Sequence, residues 1–183
     1  DIPPEAAPGP ATLQLHIINV SGYPYDELFT FDDIEIMPTE RNFDPPRQVD
    51  MPLAANFSGQ ATLIGADCAD ECKAAAGESL SLTLYWRAES NFDTRYTIFT
   101  HALGPDEMVV INADHSPAKP TTSWVPGEII TDPITFTIPD DRPPGEYLLE
   151  VGLYDAADSN FTRLPLDTGE SRVILPQPLK VTE

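Results

Sequence analysis

The sequence predicts an all-β fold. The expected architecture is an antiparallel β-sandwich of immunoglobulin/fibronectin-like or jelly-roll-like kind, with an N-terminal β-segment. Three observations predict it. Apolar and polar residues alternate with a period of two through several runs. Helical periodicity is nearly absent. Gly/Pro/Asp-rich turn signals separate the runs at short intervals, which suits many short strands packed in layers.

Residues 1–10 are rich in Pro, Ala and Gly and read as a linker. Residues 11–40 read as a β-segment. Leu13, Leu15 and Ile17 alternate within Thr12–Val20, a Gly/Pro/Tyr-rich loop follows, and Phe31-Asp-Asp-Ile-Glu-Ile36 leads into a strand over Asp33–Met37. Leu13–Glu40 and Leu148–Glu183 echo each other as strand, loop and closing strand. This segment is therefore either the end of a preceding β-module or an edge of the main sandwich. Residues 41–52, with Pro45-Pro46, read as a second linker.

Residues 53–183 read as the sandwich domain. Ala61–Ala66 is a strand candidate. Ala69–Ala76 is short, ends at Gly77 and has room for one helical turn. Leu80, Leu82, Leu84 and Trp86 alternate with Ser79, Ser81, Thr83 and Tyr85, which sends the first set inward. Tyr96–Leu103 and Met108–Ala113 are strands around the hairpin turn Leu103-Gly-Pro-Asp-Glu107. Ile134, Phe136 and Ile138 alternate with threonines. Asp140-Asp-Arg-Pro-Pro-Gly145 turns the chain into Tyr147, Leu149, Val151 and Leu153, which alternate with Leu148, Glu150, Gly152 and Tyr154. A turn at Asp155–Asn160, a second at Leu166–Gly169, and strands at Ser171–Leu175 and Pro178–Val181 complete the chain.

The 183 residues suffice for one sandwich with a proper core. A net charge of −20 argues against nucleic acid and anionic membrane partners, because both require clustered Lys/Arg. No apolar run approaches the roughly 18–20 residues of a membrane span. Asp1-Ile2-Pro3-Pro4-Glu5 lacks the basic and apolar regions of a signal peptide. The chain therefore reads as a segment of a longer protein, with its targeting upstream. For Cys68 and Cys72, four residues apart, a local disulfide is the preferred reading and suits an oxidising compartment. Free thiols and a metal site using both thiolates are the alternatives.

The order of motifs from Pro52 onward is also informative. Pro52-Leu-Ala-Ala-Asn-Phe-Ser-Gly59 precedes Leu63-Ile-Gly65 and Gly77-Glu-Ser-Leu-Ser-Leu-Thr-Leu-Tyr-Trp86. Tyr96–Leu103, Ser123-Trp-Val-Pro-Gly-Glu128 and Pro144-Gly-Glu-Tyr-Leu-Leu-Glu-Val-Gly-Leu-Tyr-Asp155 follow. This order resembles the extracytoplasmic β-sandwich domain of Chloroflexi-type bacterial envelope proteins, often joined to multi-pass membrane proteins resembling glycosyltransferases. The resemblance implies an extracellular or envelope location and carries over no catalytic residues. Ala66, where the family often has an aromatic, and the Cys68–Cys72 insert depart from its pattern. That loop is where a specialisation is expected.

Each candidate site residue also has a plain structural role. His101 shares a face with Phe99 and Leu103 and is expected to be partly buried and hydrogen-bonded. A triad of Ser116, His101 and Asp114 has no nucleophile elbow to support it. No pair of carboxylates stands out for a glycosidase. Calcium is conceivable at Asp67, Asp70 and Glu71, or at Asp155 and Asp158, against the alternative of solvated turns. Trp124, Tyr85 and Tyr154 are the candidate ligand platform. Tyr85 and Tyr154 need neighbouring strands, and the favoured reading of Trp124 is a plug at one end of the sandwich. Asn19, Asn56 and Asn160 head Asn-x-Ser/Thr triplets, normally unmodified in a bacterial protein. The expected function is a non-catalytic spacer or docking module, its partner an unknown protein or a cell-surface glycan. A carbohydrate-binding module is the first alternative and a hydrolase the second. No cofactor is expected, calcium apart.

Overall fold

Alternation gives each extended segment one apolar face, which leaves water only by meeting another sheet. The computed structural model describes residues 7–18, 26–37 and 40–183. They fall into two units, Asp1–Arg41 and Asn42–Glu183. Most of the expected N-terminal linker, the end of the strand expected at Thr12–Val20, the Asn19 triplet and the Gly/Pro/Tyr loop lie outside the described residues.

In the first unit, β1 (Gly9–Ile18) pairs antiparallel with β2 (Asp26–Ile36) across a bulge between Ala11 and Leu13. Leu13 opposes Phe31 and Leu15 opposes Phe29, so one face carries these four side chains and Ile17, all exposed. β2 starts well before Asp33, because Leu28 to Phe31 extend the ladder opposite Leu13 to His16.

The second unit is a sandwich. One layer has the order β3 (Met51–Phe57), β4 (Ala61–Cys68), β6 (Ser79–Ala88), β9 (Ile129–Thr137). The other has the order β5 (Lys73–Ala75), β12 (Leu179–Thr182), β10 (Gly145–Asp155), β7 (Tyr96–Leu103), β8 (Val109–Asn112), with β11 (Val173–Ile174) also on β10. A single core cluster joins the layers. It takes Leu80, Leu82, Leu84 and Trp86 from β6 and Tyr147, Leu149, Val151 and Leu153 from β10. Each buried leucine or valine contributes about 1.5–3 kcal/mol. Trp86 packs on Phe57 with ring centroids 5.5 Å apart.

Three local features add to the expected picture. Residues 42–52, within the stretch 41–52 expected as a linker, pack on the second unit. Asn42 accepts a hydrogen bond from Ile129 N–H at 2.7 Å, Val49 lies over Gly65, and Met51 is buried at the start of β3. Pro52 fits there because β3 is an edge strand, and Pro133 sits on the opposite edge strand, β9. The sheets are antiparallel except that β12 and β5 pair in parallel. Ala69–Ala76 forms no right-handed helical turn. Asp70, Glu71 and Cys72 are all left-handed, with φ of 50°, 54° and 58°. Closing Cys68 onto Cys72 reverses the chain tightly, and Lys73–Ala75 then join the sheet as β5.

Candidate functional site

The inward residues of β7 and β10 fill the core, so their alternate residues stand on the outer face of that sheet. The antiparallel register sets Glu150 opposite His101 and Gly152 opposite Phe99. Phe99 lies flat over Gly152, where no side chain stands in its way: a Cβ built on Gly152 falls 2.5 Å from Phe99 Cε1. His101 stacks beside it at 5.2 Å. Phe99, His101 and Glu150 are buried although they belong to an outer face. The segment after β10 covers them. Arg163, whose backbone bridges to Tyr154, holds its guanidinium 4.1 Å above the Phe99 ring.

A charge network underlies these rings. His101 Nδ1 is 2.8 Å from Glu150 Oε1, and its Nε2 is 2.8 Å from Asp114 Oδ1. Arg172 donates to Glu150 at 2.8 Å and to Glu107 at 2.8 Å, and Arg163 lies 3.7 Å from Glu150. Burial pushes the Glu150 carboxyl up. His101, Arg172 and Arg163 more than offset that and hold it below the usual carboxylate range. Tyr154 is raised, first by burial and then by the charge and hydrogen bond of Asp114. At the rim Phe161 is 60% exposed and stands edge-on to Tyr154, centroids 6.0 Å apart. Its φ of 51° places a bulky residue in left-handed backbone, which costs about 1 kcal/mol or more. Phe99, His101, Asp114, Tyr154, Phe161 and Arg163 line a concavity of about 300 Å³.

Of the proposed platform only Tyr154 belongs to this site. Trp124 is fully buried against Phe92 and Trp86 and donates its indole N–H to Lys119 O at 2.8 Å, so it cannot meet a ligand. It is the plug. Tyr85 is on β6, in the opposite layer from Tyr154, so the two cannot form one surface. Tyr85 instead donates to Asp67 Oδ2 at 2.7 Å, which, with burial and the Asp67 and Asp50 charges, pushes its hydroxyl up to about 12.

Cys68 and Cys72 are bonded to each other, Cα atoms 5.1 Å apart. Asp67, Asp70 and Glu71 do not converge. Asp67 also accepts from Asp50 N–H at 2.7 Å, and Glu71 pairs with Lys73. Asp155 accepts from Ala157 N–H at 2.9 Å, while Asp158 accepts from Asn160 N–H at 3.3 Å and from the Thr162 hydroxyl. Both aspartates cap their own turn. Among the described residues no three His, Cys, Asp or Glu side chains gather as a metal site. His101 faces a carboxylate at each ring nitrogen, so neither nitrogen is turned to Ser116.

Sequence reasoning missed Phe161, Arg163, Glu150 and Arg172. A signal was present: His101 and Glu150 are ionisable residues on the outward sets of otherwise apolar strands, and Gly152 interrupts one of those sets.

No protein-family model matches the chain, and no curated protein matches it by sequence. Among solved structures it is similar to the C-terminal domain of wzt, with a TM-score of 0.50 and 14% identity over 74% of this chain and 83% of that one. At that identity the likeness bears on the fold alone, which is all-β and sandwich-like.

Proposed function

We propose that this chain is a non-catalytic β-sandwich module of a larger extracytoplasmic envelope protein, a rigid spacer that docks its ligand on the outer face of the sheet containing β7 and β10. One observation carries the reading. In the concavity on that face, the ionisable groups of the floor already have their hydrogen-bond partners: His101 between Glu150 and Asp114, and Glu150 between His101 and Arg172. Groups so fixed orient a ligand, whereas acid–base or nucleophilic chemistry needs a group poised to move a proton or attack. The disulfide and the −20 charge suit an exported, soluble surface.

The test is retention of the full chain on beads carrying bacterial envelope polysaccharide or detergent-solubilised envelope proteins. Phe161→Ala and Arg163→Ala should lose retention, Ser81→Lys on the opposite layer should keep it, and the captured material should be recovered chemically unchanged. Equal retention of all variants would refute docking at this face. Cleavage of the captured material would refute the non-catalytic assignment.

A further inference from the structure

We infer that the concavity of the outer face binds an uncharged pyranose ring. The inference rests on the docking reading above and names the ligand class of that site.

The size is the first consideration. About 300 Å³ is at the small end of ligand pockets and suits a single sugar ring. A peptide strand is disfavoured because β7 and β10 are interior strands, their backbone edges already paired on both sides.

The chemistry of the wall is the second. Phe161 offers an exposed ring, propped away from its loop by left-handed backbone and held edge-on by Tyr154. Such a ring stacks on the C–H face of a pyranose. Hydroxyl groups need both acceptors and donors, and the wall has each. The Asp114 carboxylate has about four acceptor positions, of which His101 and Tyr154 occupy two. The Arg163 side chain is 37% exposed, and its guanidinium has about five N–H donors, more than its contact with Glu150 engages. The floor beneath, Phe99, His101 and Glu150, is buried and cross-linked, so the polar groups are held in place before a ligand arrives.

Charge decides between neutral and ionic ligands. Asp114, Glu150 and Glu107 stand against Arg163 and Arg172, with His101 between them, on a chain of net charge −20. That field disfavours an anionic sugar or phosphate. A cation would seek the buried aromatic face, and Arg163 already covers the Phe99 ring.

The test is calorimetric titration of the full chain with the methyl pyranosides of glucose, mannose, galactose and N-acetylglucosamine, with glucuronate and choline as charged comparators. At least one neutral pyranoside should saturate a single site with Kd on the order of 1 mM. Phe161→Ala and Asp114→Asn should each weaken it at least about tenfold, the scale of one lost stacking or charge-assisted contact, with both variants still folded at the titration temperature. Ser81→Lys should bind as wild type. Saturation by no neutral pyranoside, tighter binding of a charged comparator, or an unchanged Phe161→Ala each overturns the inference. If bead retention still depends on Phe161 while every pyranoside fails, only the ligand class is wrong. If retention has also lost that dependence, the docking reading falls with it.

Discussion

Gly152→Ala tests the construction of the site most directly. The added methyl would sit 2.5 Å from Phe99 Cε1, closer still to Cζ, and 3.0 Å from the backbone carbonyl of Ser171. Ordinary contact between such carbons is about 3.5–4.0 Å, so the ring must move by about 1 Å or more. It has little room: His101 stacks at 5.2 Å, Tyr154 lies at 6.4 Å, and Arg163 closes the top at 4.1 Å. Overpacking of this kind costs about 1–3 kcal/mol. At about 2–4 °C per kcal/mol for a chain of this size, the melting temperature should fall by roughly 2–12 °C. The ring can escape only outward, pushing Arg163 from its seat, so ligand retention should fall as well. A double-mutant cycle with Phe99→Ala makes the cause explicit. In the Phe99→Ala background the ring is gone, and Gly152→Ala should cost under about 0.5 kcal/mol apart from the Ser171 contact. Thermal denaturation of the four proteins measures this. Equal costs in both backgrounds would falsify the placement of Phe99 over Gly152.

Trp124→Phe should lose about 1–3 kcal/mol by leaving the Lys119 carbonyl without its indole donor, and Trp124→Ala about 3–5 kcal/mol, with sugar titrations unaffected per folded molecule. A ligand defect in Trp124→Phe at full folding would contradict the plug. Reducing Cys68–Cys72 should cost at most about 2 kcal/mol from loop closure. Relief of the left-handed backbone at Asp70, Glu71 and Cys72 offsets part of that, and cooperative unfolding on reduction would show that the bridge holds more than its loop. His115 Nε2 meets buried Asp132 at 2.8 Å. Burial lowers the His115 pKa, but the hydrogen bond and charge of Asp132 outweigh it and the net shift is upward from 6.5. Its contribution to stability is therefore full below 6.5 and fades as pH rises through the raised value. The melting-temperature gap between wild type and His115→Gln should narrow over that range, and a gap that widens with pH would reverse the assignment.

The inward sets were legible in the sequence. Leu80, Leu82, Leu84 and Trp86, and Tyr147, Leu149, Val151 and Leu153, all lie in the core. Trp124 was legible as a plug because it sits outside any alternating run and is too large to leave in water. β3 was harder to read, since Pro52 masks a strand unless that strand is known to be an edge. The left-handed turn at Asp70–Cys72 was not legible, because nothing in Ala-Asp-Glu-Cys favours that backbone over a helical turn.

The site divides along the same line. Alternation is a property of the extended backbone itself, so sequence alone determined that this chain is layered and which side chains of each strand turn outward. Which strands lie side by side is settled only when all inward faces compete for one core. That competition put Tyr85 and Tyr154 in opposite layers, set Glu150 against His101, and folded Phe161 and Arg163 back over Phe99. Along the chain Arg163 lies 9 positions from Tyr154 and 64 from Phe99, and Glu150 lies 49 from His101. No local pattern joins them; the register of β7 and β10 does.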